Sequence, residues 1–317
     1  MFAGLKLKSI TIPNSVRSIG VNAFLDCDNL NTVVFEDGSS TLSVGYQDAN
    51  YAYWGPFYDS PLTSITLGRE ISYVQNNGTN YTPEQTNDGL FASEDKVESL
   101  SVTLTNNVKT LSKYMFAGRP IRSLTIPGSV TNIRDYAFYN CTDLASIRFE
   151  GSSTPLTIGF QPGTNEHGPF YQSPLTSIYV NREIVASDEY DIARDADDEG
   201  IFSTPSNSRN VSVTLQGNVN TISDYMFSGV QMETIWIPRE VTSIGKEAFE
   251  DCSKLYGVTL AHSNPPILGV DAFDGTKLQD KDATRWIALQ DATNINAFKT
   301  AHNWSEYAGI IIAQTQK

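Results

Sequence analysis

The chain has 317 residues, with 36 acidic against 22 basic side chains and a formal charge of -14. That balance repels nucleic acid and anionic membrane surfaces, which excludes polyanions as partners. No run of about 18 apolar residues occurs, so there is no transmembrane segment.

The first element is Leu7-Lys-Ser-Ile10-Thr-Ile12-Pro13, in which Ile10 and Ile12 alternate with Ser9 and Thr11. A period of two places the isoleucines on one face of a short strand and the hydroxyls on the other. Pro13 stands just past the strand, where its missing amide breaks no ladder bond. Val16, Ile19 and Phe24 follow, and the set Ile12, Val16, Ile19, Phe24 returns with the same spacing. It recurs as Leu104, Val108, Leu111, Phe116, then Ile126, Val130, Ile133, Phe138, then Leu215, Val219, Ile222, Phe227, and then Ile237, Val241, Ile244, Phe249. A unit this small cannot bury its own apolar face, so repetition at fixed spacing predicts coils stacked into a solenoid.

Equivalent strands are expected over 30–35, 62–67, 121–126, 144–149, 175–180, 232–237 and 255–260. Every coil travels in the same sense, so these strands are expected to pair in parallel as one long sheet along the stack. Val16, Ile19 and their equivalents bring the return side back over the core. The short units leave room there only for short strands, turns and 3₁₀ pieces.

Marking units from Phe to Phe (Phe2, Phe24, Phe57, Phe91, Phe116, Phe138, Phe170, Phe202, Phe227, Phe249, Phe273) gives ten coils of 22, 33, 34, 25, 22, 32, 32, 25, 22 and 24 residues. The lengths themselves repeat every four coils. Residue identity follows the same longer period, because 55–65 (GPFYDSPLTSI) returns as 168–178 (GPFYQSPLTSI), which points to duplication of a four-coil block. The whole chain, 1–317, is expected to be a single solenoid, with coils over 2–273 and a C-terminal cap over 274–317. Met1 to Gly4 match Met115 to Gly118, so the sequence is expected to start inside the array, with a signal, anchor or N-terminal cap upstream.

After Phe273 a last strand-like piece, Arg285 to Leu289, precedes Ile295, Phe298 and Ala301 at helical spacing. Asp291 or Thr293 is the expected N-cap. Such a helix would cover the apolar end of the stack and its unpaired sheet edge.

Units reading L-x-x-I-x-I-P-x-x-V-x-x-I-x-x-x-A-F, followed by Asn140-Cys141 as in the unit from Ile121, resemble the BspA-like branch of the leucine-rich repeats. The resemblance covers Phe2 to Phe273. It implies a right-handed leucine-rich-repeat solenoid, strand-dominated, with little helix apart from the C-terminal cap. It also implies a bacterial surface or secreted protein that engages a protein or glycan ligand on host matrix or other cells, with no shared catalytic motif and no cofactor. The chain departs from the simple family unit in its long coils, and an individual role is expected there. A spacer or assembly module within a larger surface protein is the alternative.

The search for chemistry yields few candidates. Cys27, Cys141 and Cys252 each stand three residues after a repeat Phe, and neighbours lie four coils apart, roughly 19 Å at the strand spacing. That is too far for a disulfide or a shared metal, so they are expected to be free, buried, small hydrophobes. His167, His262 and His302 occupy unrelated positions and are expected in solvated loops, so no triad forms. Asp195, Asp197 and Glu199 before Gly200 imitate a calcium loop, but Ser206 stands where the bidentate Glu is needed, so no metal is expected.

Two groups are candidates for ligand binding. On the outward face of the strands one position is usually Thr (Thr11, Thr66, Thr103, Thr125, Thr214, Thr259), but Arg148, Tyr179 and Trp236 replace it within about 15 Å along the stack. They are either an interface hot spot or surface aromatics under the tail or a neighbouring loop. The second-coil insertion carries Tyr51, Tyr53 and Trp54, which either grip a sugar or protein or fold back over their own coil, the latter favoured.

Overall fold

The computed structural model describes residues 2–46, 55–75, 90–91, 97–159, 168–186, 200–202, 209–280 and 284–314. What organises them is a column of phenylalanines. Phe2, Phe24, Phe57, Phe91, Phe116, Phe138, Phe170, Phe202, Phe227, Phe249 and Phe273 stack ring on ring, each centroid 5.0–5.9 Å from the next. The spacing is slightly more than a strand separation, as offset aromatic stacking requires.

Two layers of strands flank this column. One face is built from β1 (Ser9–Ile12), β3 (Thr32–Phe35), β5 (Ser64–Leu67) and β7 (Ser101–Leu104), then β9 (Ser123–Ile126), β11 (Ser146–Phe149), β13 (Ser177–Val180) and β15 (Ser212–Leu215). β17 (Thr234–Ile237), β19 (Gly257–Leu260), β21 (Trp286–Leu289) and β22 (Ile311–Ala313) complete it. The return side carries β2 (Ser18–Ile19), β4 (Leu42–Tyr46) and β6 (Ile71–Gln75), then β8 (Thr110–Leu111), β10 (Asn132–Ile133), β12 (Leu156–Ile158) and β14 (Ile184–Ala186), then β16 (Thr221–Ile222), β18 (Ser243–Ile244) and β20 (Ile267–Leu268). Within each set the pairing is parallel and the register places equivalent residues side by side, as with Ile12 beside Phe35 and Phe149 beside Val180. The strands begin two residues later than the sequence pattern suggests, because a turn carries the leading Leu into the core, as where Leu30 N–H donates to the Cys27 carbonyl.

The expectation of one long sheet is corrected. Among the described residues the face consists of three four-stranded sheets, ending after β7 and β15, and the return side breaks after β6 and β14. A ladder continues only where one coil offers backbone carbonyls at the height of the next coil's amides. After β6 a carboxylate takes that place, with Glu70 accepting from the Lys109 and Thr110 amides at 2.9 and 3.1 Å. After β14 Glu183 does the same for Asn220 and Thr221. On the face the ladder shrinks at each seam to a bond at the strand entry, Leu100 N–H to the Pro120 carbonyl and Val211 N–H to the Gln231 carbonyl, both 2.9 Å. The two seams are staggered by one coil, so the coil carrying β7 and β8 pairs backward on one side and forward on the other. The phenylalanine column crosses both junctions unbroken.

Among the described residues the chain turns at nine of the repeat phenylalanines through a left-handed residue two positions later: Gly4, Gly118, Gly229 and Gly275, or Asp26, Asp59, Asn140, Gln172 and Asp251. Glycine, Asn and Asp tolerate this region where other side chains clash with the backbone. Where that residue is Asp, Asn or Gln, the next one is a thiol or hydroxyl donating to the Phe carbonyl of the coil before. Cys27, Cys141 and Cys252 reach Phe2, Phe116 and Phe227, each at 3.1 Å, and Ser60 and Ser173 reach Phe24 and Phe138. The cysteines are free and buried.

Among the described residues three arginines are buried: Arg119, which donates to the Leu62 carbonyl, and the equivalent pair Arg69 and Arg182. Arg69 donates to the carbonyls of Pro13, Asn14 and Val16 two coils back, and Arg182 to those of Pro127, Val130 and Thr154. Both are fully buried, and burial lowers the pKa of each guanidinium. The expected solvated position for His262 is also corrected. It is buried, with Nε2 against the Val241 carbonyl, at the turn where the earlier blocks place an arginine on Val16 and Val130.

At the C-terminal end, β22 adds a strand beside β21 that the sequence pattern did not indicate. The helix α1 (Ile295–Thr300) follows Asn294, not Asp291 or Thr293, because Asp291 is occupied accepting from the Thr293 amide and hydroxyl. Phe298 and Trp304 are buried, Trp304 against Phe273 and Phe298 against Trp304, with Trp304 Nε1 donating to the Pro266 carbonyl.

Candidate functional site

The alternation inside each face strand leaves two outward positions per coil; the register aligns them into two rows within each sheet, and equivalent repeat positions continue the rows across the seams. The first row is Ser9, Thr32, Ser64, Ser101, Ser123, Ser146, Ser177, Ser212, Thr234, Gly257 and Trp286. The second is Thr11, Val34, Thr66, Thr103, Thr125, Arg148, Tyr179, Thr214, Trp236, Thr259 and Ala288. Hydroxyls dominate both. Arg148 is the one charged side chain on the two rows, so the net charge of -14 lies elsewhere on the molecule.

β11 and β13 pair Arg148 with Tyr179 directly, and the guanidinium carbon sits 3.6 Å from the phenol ring centroid. Such a contact fixes both side chains on the face while leaving the guanidinium edge open to solvent. Thr214 lies beside Tyr179 on β15, and Trp236 follows on β17 across the face seam, 43% exposed. The structure therefore brings Arg148 and Tyr179 into contact, with Trp236 two strands further on. Tyr51, Tyr53 and Trp54 lie outside the described residues, as do Asp195, Asp197, Glu199 and Ser206.

Two residues that sequence reasoning passed over belong to this face. Trp286 stands on β21 opposite Gly257, and its six-membered ring occupies the space a Cβ at Gly257 would need, at 2.5–2.9 Å. A side chain at Gly257 would lift the indole off the sheet. The signal was present as a Gly interrupting the Ser/Thr row immediately before a Trp in the same row.

The reactive groups elsewhere are turned inward. Burial pushes the Cys141 thiol up to about 12 and raises Cys27 and Cys252 as well, so all three stay protonated. Burial lowers the His262 pKa, holding the ring neutral. Among the described residues there is no group of three His, Cys, Asp or Glu side chains fit to hold a metal. None of the described helices is long and apolar enough to cross a membrane.

Comparison with known proteins places these coils. The family model for the BspA type leucine rich repeat region matches six copies, over residues 1–87, 56–190 and 199–299. No curated protein matches the chain. Among solved structures, the pneumococcal vaccine antigen PcpA is 15% identical with a TM-score of 0.35, covering 98% of this chain and 69% of its own. A leucine rich cell surface protein from Faecalibacterium prausnitzii is 16% identical with a TM-score of 0.32, covering 96% and 82%. A leucine-rich repeat protein from Bacteroides ovatus is 17% identical with a TM-score of 0.30, covering 98% and 84%. With the family model matching nearly the whole array, the chain belongs to the BspA-type leucine-rich-repeat family.

Proposed function

We propose that this chain is a non-enzymatic binding module of a bacterial cell-surface or secreted protein, and that it engages a protein or glycan through the outward face around Arg148, Tyr179 and Trp236. The observation that carries the reading is the Arg148–Tyr179 stack with exposed Trp236 two strands away, on a row otherwise built of threonines. Arg, Tyr and Trp are the residues that dominate binding energies, and a rigid sheet holds them with little loss of conformational entropy on binding. Family membership supports the surface setting. The inward-facing thiols support a role without nucleophilic chemistry.

The test is surface plasmon resonance against extracellular-matrix proteins together with a glycan array, using the chain and its Arg148→Ala/Trp236→Ala double variant. The expected result is a ligand whose affinity falls roughly 30-fold in the variant, the size of a single hot-spot loss. Uniform absence of binding, or equal binding by both proteins, overturns the reading in favour of a spacer.

A further inference from the structure

At the end of the stack formed by β1 and β2 the inward side chains are uncovered. Phe2 is 37% exposed and, among the described residues, stacks on Phe24 alone, whereas the equivalent Phe116 and Phe227 are buried. Leu5 is 45% exposed, although Arg119 and Val230 at the same place are buried. Leu7, Ile10 and Val16 are half-buried where Ile121, Leu124 and Val130 are fully covered. Apolar surface left in this state gains by being stacked on another coil.

The same end has the geometry of the two seams inside the molecule. In both seams the coil that opens a block, with β9 and β10 or with β17 and β18, receives the last coil of the block before in one manner. Its return strand takes ladder bonds. The Thr131, Asn132 and Arg134 amides reach the Lys109 and Leu111 carbonyls at 2.8–3.0 Å, and those of Thr242 and Gly245 reach Asn220 and Ile222, both at 2.8 Å. Its face strand stays at the edge of its own sheet, with the entry bond to the Pro120 or Gln231 carbonyl. The corresponding groups on the first coil are the Arg17, Ser18 and Gly20 amides and the Lys6 carbonyl. Among the described residues none of the four has a partner. The coils that fill the internal seams also share residues: both face strands read Ser-Val-Thr-Leu, and Tyr114-Met115-Phe116 and Tyr225-Met226-Phe227 lead out of them. Residues 1–25 carry Lys6, Lys8 and Arg17 and no acid, so two copies meeting through this end would repel each other.

Independently of the ligand-binding face, we infer that this end is a docking surface for one kind of leucine-rich-repeat coil, the kind that carries β7 with β8 and β15 with β16. Such a coil pairs with β2, stacks its Phe on Phe2 and leaves β1 unpaired. Its source is either a segment joined ahead of Met1 or a separate chain.

The test joins a copy of residues 91–114 ahead of Met1, which recreates the Tyr-Met-Phe junction, and compares hydrogen exchange at single amides with that of the chain itself. The Thr32 and Glu36 amides go to the Lys8 and Ile12 carbonyls, so the Ser9 and Thr11 amides lie on the open edge of β1. The expected result is that Arg17, Ser18 and Gly20 slow at least about tenfold while Ser9 and Thr11 keep their rates. A copy carrying Leu104→Ser and Leu111→Ser should give no slowing. Unchanged exchange at the three amides, slowing that spreads to Ser9 and Thr11 as an ordinary ladder gives, or equal slowing by the Ser-bearing copy overturns the inference. Residues 91–114 added as a separate peptide distinguish the sources: slowing by the peptide supports another chain, and slowing in the joined protein alone supports a neighbouring segment. A dimer of the unextended chain, seen by sedimentation velocity and already protecting Arg17, Ser18 and Gly20, overturns the inference in favour of a second copy.

Discussion

Coils one to four and coils five to eight are two executions of one plan, and their inward side chains are the same or, as with Val33 and Ile147 or Leu67 and Val180, mostly exchanged among aliphatics. Phe24 and Phe138, Cys27 and Cys141, Ser60 and Ser173, Arg69 and Arg182, and Glu70 and Glu183 hold the same places and make corresponding contacts. They part company outside. Val34 and Thr66 of the first block become Arg148 and Tyr179 in the second, and Thr11 becomes Trp236 at the start of the third. Packing density confines most interior exchanges to aliphatics of similar size, since a missing methylene is felt there, whereas an outward position tolerates a change of chemical class. The blocks thus separate what the fold requires from what a ligand would select.

The equivalence can be broken first at the phenylalanine column. Phe138→Ala should cost about 3–5 kcal/mol in urea unfolding, and Phe24→Ala a similar amount, because both rings are buried between two others. Phe2→Ala, at a partly exposed ring stacked on one side, should cost far less. A large gap between Phe24→Ala and Phe138→Ala would end the claim that the blocks share one interior.

The buried arginines sharpen the comparison at the next scale. Arg182→Ala should destabilise by about 3 kcal/mol, since it strips charged hydrogen bonds from carbonyls that include buried Pro127 and Val130. Arg69→Ala should cost less, because its partners Pro13 and Asn14 are exposed and can bond to water instead. Matching losses measured by denaturation would show that solvent access at the first coil is irrelevant.

The smallest effect lies in the third block. The position after the repeat Phe is Leu25 and Tyr139 in the first two blocks but Glu250 in the third, where burial and the neighbouring Glu247 and Asp251 push the carboxyl up to about 7. A carboxyl raised above its unfolded value opposes folding when ionised. Its cost is therefore absent below about pH 4 and grows as the pH rises through about 7. Glu250→Gln should raise Tm slightly at pH 8 and leave it unchanged at pH 4, as read by differential scanning calorimetry. A shift of the same size at both pH values would remove ionisation as the cause.

Much of this was legible in the residues because a solenoid writes its contacts at fixed spacing. The phenylalanine column, the buried thiols and the parallel register follow from Ile12, Val16, Ile19 and Phe24 recurring in step. The Arg148–Tyr179 contact was legible too, since neighbours in a parallel ladder share a row. The seams were not, because Glu70 and Glu183 look like surface carboxylates until their oxygens are found on the amides of the next coil. Nothing in the sequence sets Arg69 and Arg182 apart from surface charges either, because their carbonyl partners lie one or two coils back.

The sequence by itself determined the period, the inward set and the outward rows, because each depends only on spacing along one chain and on which side chains avoid water. Tertiary structure alone decided where the ladders stop, that His262 is buried, and that Trp286 lies down over Gly257. Those outcomes depend on the height and shape of the neighbouring coil, and spacing within one coil carries no record of them.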